Sequence, residues 1–571
     1  MRVVVDDGYV INAEIYIPEG ASAENPLPLI VISHGSYNNL DHQDINAIEL
    51  SRRGYVVISS DAYMHGSSSV YVNSEDSYLN MVHLIEYACA SYSFIDTDSI
   101  GVSGHSMGAM IASATAEYYF KQEALGLGEN RLKAILNVGY DPQYEPYSFE
   151  GADGETDLTI NWGVIAAKYD EWFFTADTGN PADYLESSYA ISFINQLDGV
   201  DISGSVENGN IYSGTIDGEE YIRVIYQNTE IHPLNHFSAA SAASQVDFFY
   251  NALGVPSGYD YLDPGNQIWK IKEGFNLVGL IGIFIFLVAF AATIMDTVPY
   301  FGELKAKQAV PCAPALSTGK NKATFWITYA INLVIPALLV VPVAYMWIGQ
   351  SAWVPSTVTT WFGEPNTNEL AGWTAVVAIC ILAVFLISYK VFGAGKGVKG
   401  IPEYWGVKTT VNKVYRSLML ALLTVGVAYV ILFTSEFFFN VDYRIWVVDM
   451  RIFTANKIPF FIAYVPAFML FYLVNSLLVN GGNRVEGMPD WLVTLISCIS
   501  NIAGIAVLIF IQYSRLIGSG VFTFNSMRIV NLFPLIVLIP IGTIIGRKLF
   551  KITGSIYVVS VLVSILYTMM P

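Results

Sequence analysis

Beyond residue 276 the sequence is a succession of long apolar runs, and nothing else in the chain restricts its fold so much. The runs fall at about 277–295, 325–349, 371–392, 417–433, 458–480, 491–513, 529–546 and 552–570. Most approach the ~20 residues a helix needs to cross a bilayer. Residues 277–571 are therefore expected to form an all-α transmembrane domain of about eight helices. Within the runs, Asn332, Asn475, Asn501 and Gln512 are expected to hydrogen-bond between helices. Ionisable groups are scarce deep in the runs, which argues against an ion-coupled transporter.

The first half has a different chemistry. Residues 1–274 hold 10 Lys and Arg against 39 Asp and Glu, a net charge of −29, whereas the remainder holds 19 against 10, a net +9. All seven histidines lie at or before His236, so chemistry that titrates near neutral pH belongs to this half. Its acidity excludes nucleic acid as a partner, because phosphate backbones need the opposite sign. Cys89, Cys312, Cys380 and Cys498 are too scattered for a disulfide framework or a metal site. A stretch with Pro256, Gly258, Pro264 and Gly265 reads as a linker over 256–276, leaving 1–255 as a domain of its own.

Short apolar strands alternate with helical stretches in that domain. Strands are expected within 2–17 and at 29–33, 55–59, 99–103, 132–138, 160–167 and 221–226, and helices at about 41–53, 74–90, 107–119 and 238–253. Such alternation indicates a mostly parallel sheet flanked by helices. Where the strand 99–103 gives way to the helix 107–119 stands Gly104-His105-Ser106-Met107-Gly108. A serine at such a junction turns sharply, and the flanking glycines leave room where a Cβ would not fit. Met107 N–H, at the helix start, can then stabilise a developing oxyanion. A second such N–H is expected from Ser36, in the His34-Gly35-Ser36 loop that follows the strand 29–33.

His34-Gly35 after one strand, Asp61 through His65-Gly66-Ser67 after the next, and Gly104 to Gly108 after the third resemble the α/β-hydrolase family, in its dienelactone-hydrolase-like and esterase branch. The resemblance covers about residues 1–255. It implies a catalytic triad in the chain order Ser106, Asp170, His236. Asp170 follows the strand 160–167, with Glu171 as the alternative acid. His236 stands just before the helix 238–253, with His232 as the alternative base. A metal site at this histidine pair is not expected, since no further ligands cluster nearby in the sequence. No metal or cofactor is expected elsewhere. Asp61, His65, His34 and His105 are expected to shape turns and loop packing around the site, with His34, Gly35 and Ser36 close enough to belong to it. The stretch 139–158, with Tyr140, Tyr144, Tyr147 and Phe149, is a candidate lid.

The resulting expectation is a membrane-anchored serine hydrolase that cleaves a small-molecule or lipid-like carboxylic ester near a lipid bilayer through an acyl-enzyme. A peptidase, an acyltransferase, or a non-catalytic binding or sensor domain on a membrane protein are the alternatives. Oligomeric state is not legible. Of the Lys and Arg in the second half, 14 lie at or beside alternate connections starting with the first, and 5 at the others. By the positive-inside rule the first set is cytoplasmic, which places the acidic domain outside the cell membrane. The sequence opens at Met1-Arg2-Val3 already in a strand, so the expectation is that an upstream signal anchor is missing from this chain, the alternative being that the charge rule misleads and the domain is cytoplasmic.

Overall fold

The computed structural model describes the whole chain except residues 6–7, 70–77, 143–147, 152–153, 348–360, 364, 394–399, 525–528 and 571. Residues 1–273 with 514–526 form one compact unit, and 274–513 with 527–571 form the other.

The first unit is organised by strands that are apolar on both faces. All seven residues of β3 (Leu27–Ser33) and all five of β4 (Val56–Ser60) are buried, as befits central strands covered on both sides. Successive side chains point to opposite faces. Leu29 and Val31 join one core with Met81, Leu84 and Ile85 of α2 (Leu79–Ser91) and Ile111 and Ala112 of α3 (Met107–Ala124). Ile30 and Ile32 join the other, with Ala47 and Leu50 of α1 (Asp44–Ser51) and Phe248 and Phe249 of α5 (Ala239–Leu253).

Nine strands make one sheet in the order β1-β2-β4-β3-β5-β6-β9-β11-β10. These are β1 (Arg2–Val4), β2 (Val10–Tyr16), β5 (Ile95–His105), β6 (Leu132–Val138), β9 (Asn161–Tyr169), β10 (Tyr212–Ile216) and β11 (Glu219–Ile231) with the two already named. The run from β4 to β11 is parallel, while β1, β2 and β10 pair antiparallel. This is the α/β-hydrolase fold. It brings the loops that follow β3, β5, β9 and β11 to the carboxyl edge of the sheet, where α/β proteins bind their ligands.

The described part of the candidate lid and the linker each take a definite form. The stretch 139–158 contains an antiparallel hairpin of β7 (Ser148–Gly151) and β8 (Gly154–Asp157), with Ser148 opposite Asp157. Tyr140 at its start is a buried core residue whose ring meets Phe173 edge-on at 5.0 Å, while Tyr144 and Tyr147 lie outside the described residues. The expected linker is also not free. Arg53, fully buried, donates to the carbonyls of Leu262 (3.3 Å), Asp263 (2.7 Å) and Asn266 (2.9 Å). The Glu49 carboxylate accepts from the N–H groups of Ile268 and Trp269 at 2.7 and 3.0 Å. Residues 254–268 are thus a strap laid along the domain, and the first apolar helix begins at Trp269, within the polar stretch Lys270, Lys272 and Glu273 that hid its start.

The described residues include seven helices long and apolar enough to cross a membrane, lying wholly or mostly in the second unit. These are Trp269–Thr297, Gly319–Val340, Thr367–Phe392, Val411–Phe439, Ile458–Gly482, Asp490–Ser519 and Phe533–Thr553. The eighth apolar run forms a shorter helix, Ile556–Met569. Gly554, at φ +64°, ends the helix before it, and the Ser555 side chain caps its start. At 1.5 Å per residue it extends about 21 Å, short of the ~30 Å hydrocarbon layer. Its apolar side chains are buried inside the unit. Asn475 and Asn501 do bond between helices: Asn501 Nδ2 donates to Asn475 Oδ1 at 2.8 Å, and both donate to Thr543 Oγ1.

Candidate active site

Ser106 sits between β5 and α3 at φ 55° and ψ −117°, a left-handed conformation that a non-glycine residue adopts only where its surroundings enforce it. Sterics supply the enforcement. A Cβ on Gly104 would lie 2.3 Å from the carbonyl of Gly108, and one on Gly108 would lie 2.3 Å from the carbonyl oxygen of Ser33. Strand and helix can meet at this angle only if both positions are glycine. The Ser106 N–H donates to the Val138 carbonyl at 2.8 Å, which ties the turn to the end of β6. Met107 is the first residue of α3, so its N–H has no partner within the helix and lies at the positive end of the dipole.

The loop after β3 rises beside this turn. A Cβ on Gly35 would lie 2.8 Å from His105 Nδ1 and 3.3 Å from Ser106 Cβ, so glycine lets the loop come within contact of the serine. His34 is fully buried and stiffens the loop. The Ala62 N–H donates to its Nε2 at 3.1 Å, which leaves Nδ1–H to donate to the Gly35 carbonyl at 2.7 Å. Ser36, which follows, is half-buried. Asp61 holds turns, as expected: it accepts from the backbone N–H groups of Leu40 and Ser67 and from Asn12 Nδ2, each at 2.8 Å.

Asp170 stands just past the end of β9, where it was expected, but the histidine it meets is His232 and not His236. Asp170 Oδ2 accepts from His232 Nδ1 at 2.7 Å, and Oδ1 accepts the N–H groups of Trp172 and Phe173, also at 2.7 Å. Both partners are buried, Asp170 at 2% and His232 at 3% exposure. Register explains the pairing. β11 continues to Ile231, beyond the expected end at 226, and Ile231 pairs with Tyr169 of β9, so the next residue on each strand is His232 beside Asp170. Glu171, the alternative acid, accepts the backbone N–H of His232 at 2.9 Å and holds the loop rather than the ring. A Cβ on Gly139 would lie 3.1 Å from His232 Nδ1, and Gly139 follows the Val138 whose carbonyl receives the Ser106 N–H. The imidazole therefore packs against the strand end that anchors the serine.

His236 closes the short 3-10 turn His232–Phe237, and Ser238 caps α5 after it. Its ring lies 3.1 Å from that of His42 and 5.0 Å from that of His105, centroid to centroid. His105 Nε2 bonds the His232 carbonyl at 3.0 Å, and burial holds its pKa well below the ordinary histidine value, so the ring stays neutral. His42 carries no sequence signal that could have placed it here: it comes from the 3-10 turn Leu40–Gln43 after β3.

No family model matches this chain, and no curated protein does. Among solved structures it is similar to Est1E from Butyrivibrio proteoclasticus with ferulic acid bound, at 18% identity and a TM-score of 0.23, over 30% of this chain and 80% of that one. It is similar to a Pyrobaculum calidifontis esterase at 17% identity and a TM-score of 0.30, over 45% and 84%. The thioesterase domain of the curacin biosynthetic pathway is similar at 14% identity and a TM-score of 0.27, over 43% and 98%. Likenesses of this degree say nothing of the reaction, which has to be read from the site itself.

Proposed function

We propose that the protein is a membrane-anchored serine hydrolase that cleaves carboxylic esters, with Ser106 as nucleophile, His232 as general base and Asp170 as the group that orients it. The observation that carries this reading is the buried Asp170–His232 hydrogen bond beside a serine held in a strained strand-to-helix turn. Because the carboxylate accepts from Nδ1, Nε2 keeps the lone pair that can take the Ser106 proton. The alkoxide adds to the ester carbonyl, and the N–H groups of Met107 and Ser36 receive the negative oxygen. Collapse expels the alcohol, which takes its proton from His232. Water, deprotonated by His232, then attacks the acyl-serine, and the carboxylic acid leaves with Ser106 restored.

The seven apolar helices favour an ester presented at or near a bilayer. Turnover of 4-nitrophenyl esters by the full chain in detergent tests the reading. Ser106→Ala is expected to lower kcat at least ~10⁴-fold with an unchanged melting curve. A folded wild-type chain with no more turnover than Ser106→Ala would overturn it.

A further inference from the structure

We propose that His42, His105 and His236 form a binding site for a divalent transition metal ion of the zinc class. The fold draws them from three separate segments: the turn after β3, the residue before Ser106, and the loop that carries His232. Each offers a ring nitrogen within 4.8 Å of those of the other two, and all three side chains are buried.

The hydrogen bonding of His105 suits a ligand. A carbonyl can only accept, so the bond to His232 O puts the proton on Nε2 and leaves the lone pair on Nδ1. That atom is buried and has no hydrogen-bond partner among the described residues. A histidine whose one nitrogen binds a metal while the other donates to a backbone carbonyl is the usual second-shell arrangement. An all-imidazole set suits zinc, copper, nickel or iron, and three protein ligands leave one tetrahedral position for water. The domain's net charge of −29 draws a dication inward. Once bound, the ion joins the serine turn to the His232–Phe237 loop, which fixes the imidazole of His232 relative to Ser106. Sequence spacing hides this site, because only the pair His232 and His236 is close along the chain.

The test uses the full chain, purified in detergent without a metal-affinity tag, stripped with a chelator and reloaded with one equivalent of zinc or cobalt. Elemental analysis should find about one ion per chain, and cobalt should give the visible absorption of a four-coordinate site. His42→Gln and His236→Gln should each weaken binding at least ~100-fold, whereas His83→Gln, outside the cluster, should leave it unchanged. A folded, reloaded wild type that keeps under a tenth of an ion per chain would overturn the proposal. So would equal binding by folded His42→Gln and His236→Gln. Metal content and cobalt absorption are read without turnover, so this proposal and the ester hydrolase reading can fail separately.

Discussion

At the scale of single residues, the serine turn is held by the absence of two side chains. Gly108 abuts the Ser33 carbonyl so closely that any Cβ displaces β3 or α3. Gly108→Ala is therefore expected to cost about 3 kcal/mol or more, read as a lowered urea midpoint, although it removes no hydrogen bond and no charge. Stability within a few tenths of wild type would show that the turn has slack the geometry denies. The same residues explain what was legible beforehand. Gly104, Ser106 and Gly108 announce themselves because the turn is local and only glycine fits it. The choice between His232 and His236 depends on where a strand ends, and no residue near either histidine marks that point.

Strand register and the strap act at the scale of elements. The apolar strands β3 and β4 were readable because both faces are buried, and so were the helices that cover them. β11 was underestimated because it runs past Gln227, Asn228, Thr229 and Glu230, polar residues that read as loop yet continue the strand around an irregularity between Asn228 and Ile231. Proline and glycine across 256–276 read as a linker. Arg53 makes it an ordered one, by saturating carbonyls that would otherwise face the protein without donors. Arg53→Ala leaves those carbonyls and the buried Glu49 short of a partner, and the expected loss is about 3 kcal/mol. Faster limited proteolysis within 254–268 should accompany it. Unchanged protease resistance would show that the strap is held by its apolar contacts alone.

For the whole molecule, the division of charge and apolar residues sets the setting of the chemistry. An acidic, histidine-bearing α/β unit shares its chain with helices of which seven, among the described residues, are long and apolar enough to cross a bilayer. By the positive-inside rule the surplus of Lys and Arg at alternate connections predicts the acidic unit on the outer side of a membrane, which we propose. Protease added to intact cells should then digest it, and full protection until the cells are lysed would reverse the assignment. Helix number was nearly legible from hydropathy; the exception, Ile556–Met569, is a shorter apolar helix whose side chains are buried inside the unit. The central claim is that a serine is activated by the Asp170–His232 pair. Its most direct test is the rate at which a fluorophosphonate probe labels the full chain in detergent. Wild type should label rapidly, Ser106→Ala not at all, and His232→Ala at least ~10³-fold more slowly, with His236→Ala far less impaired. Labelling that survives in His232→Ala but vanishes in a folded His236→Ala would contradict it and return the role of base to His236.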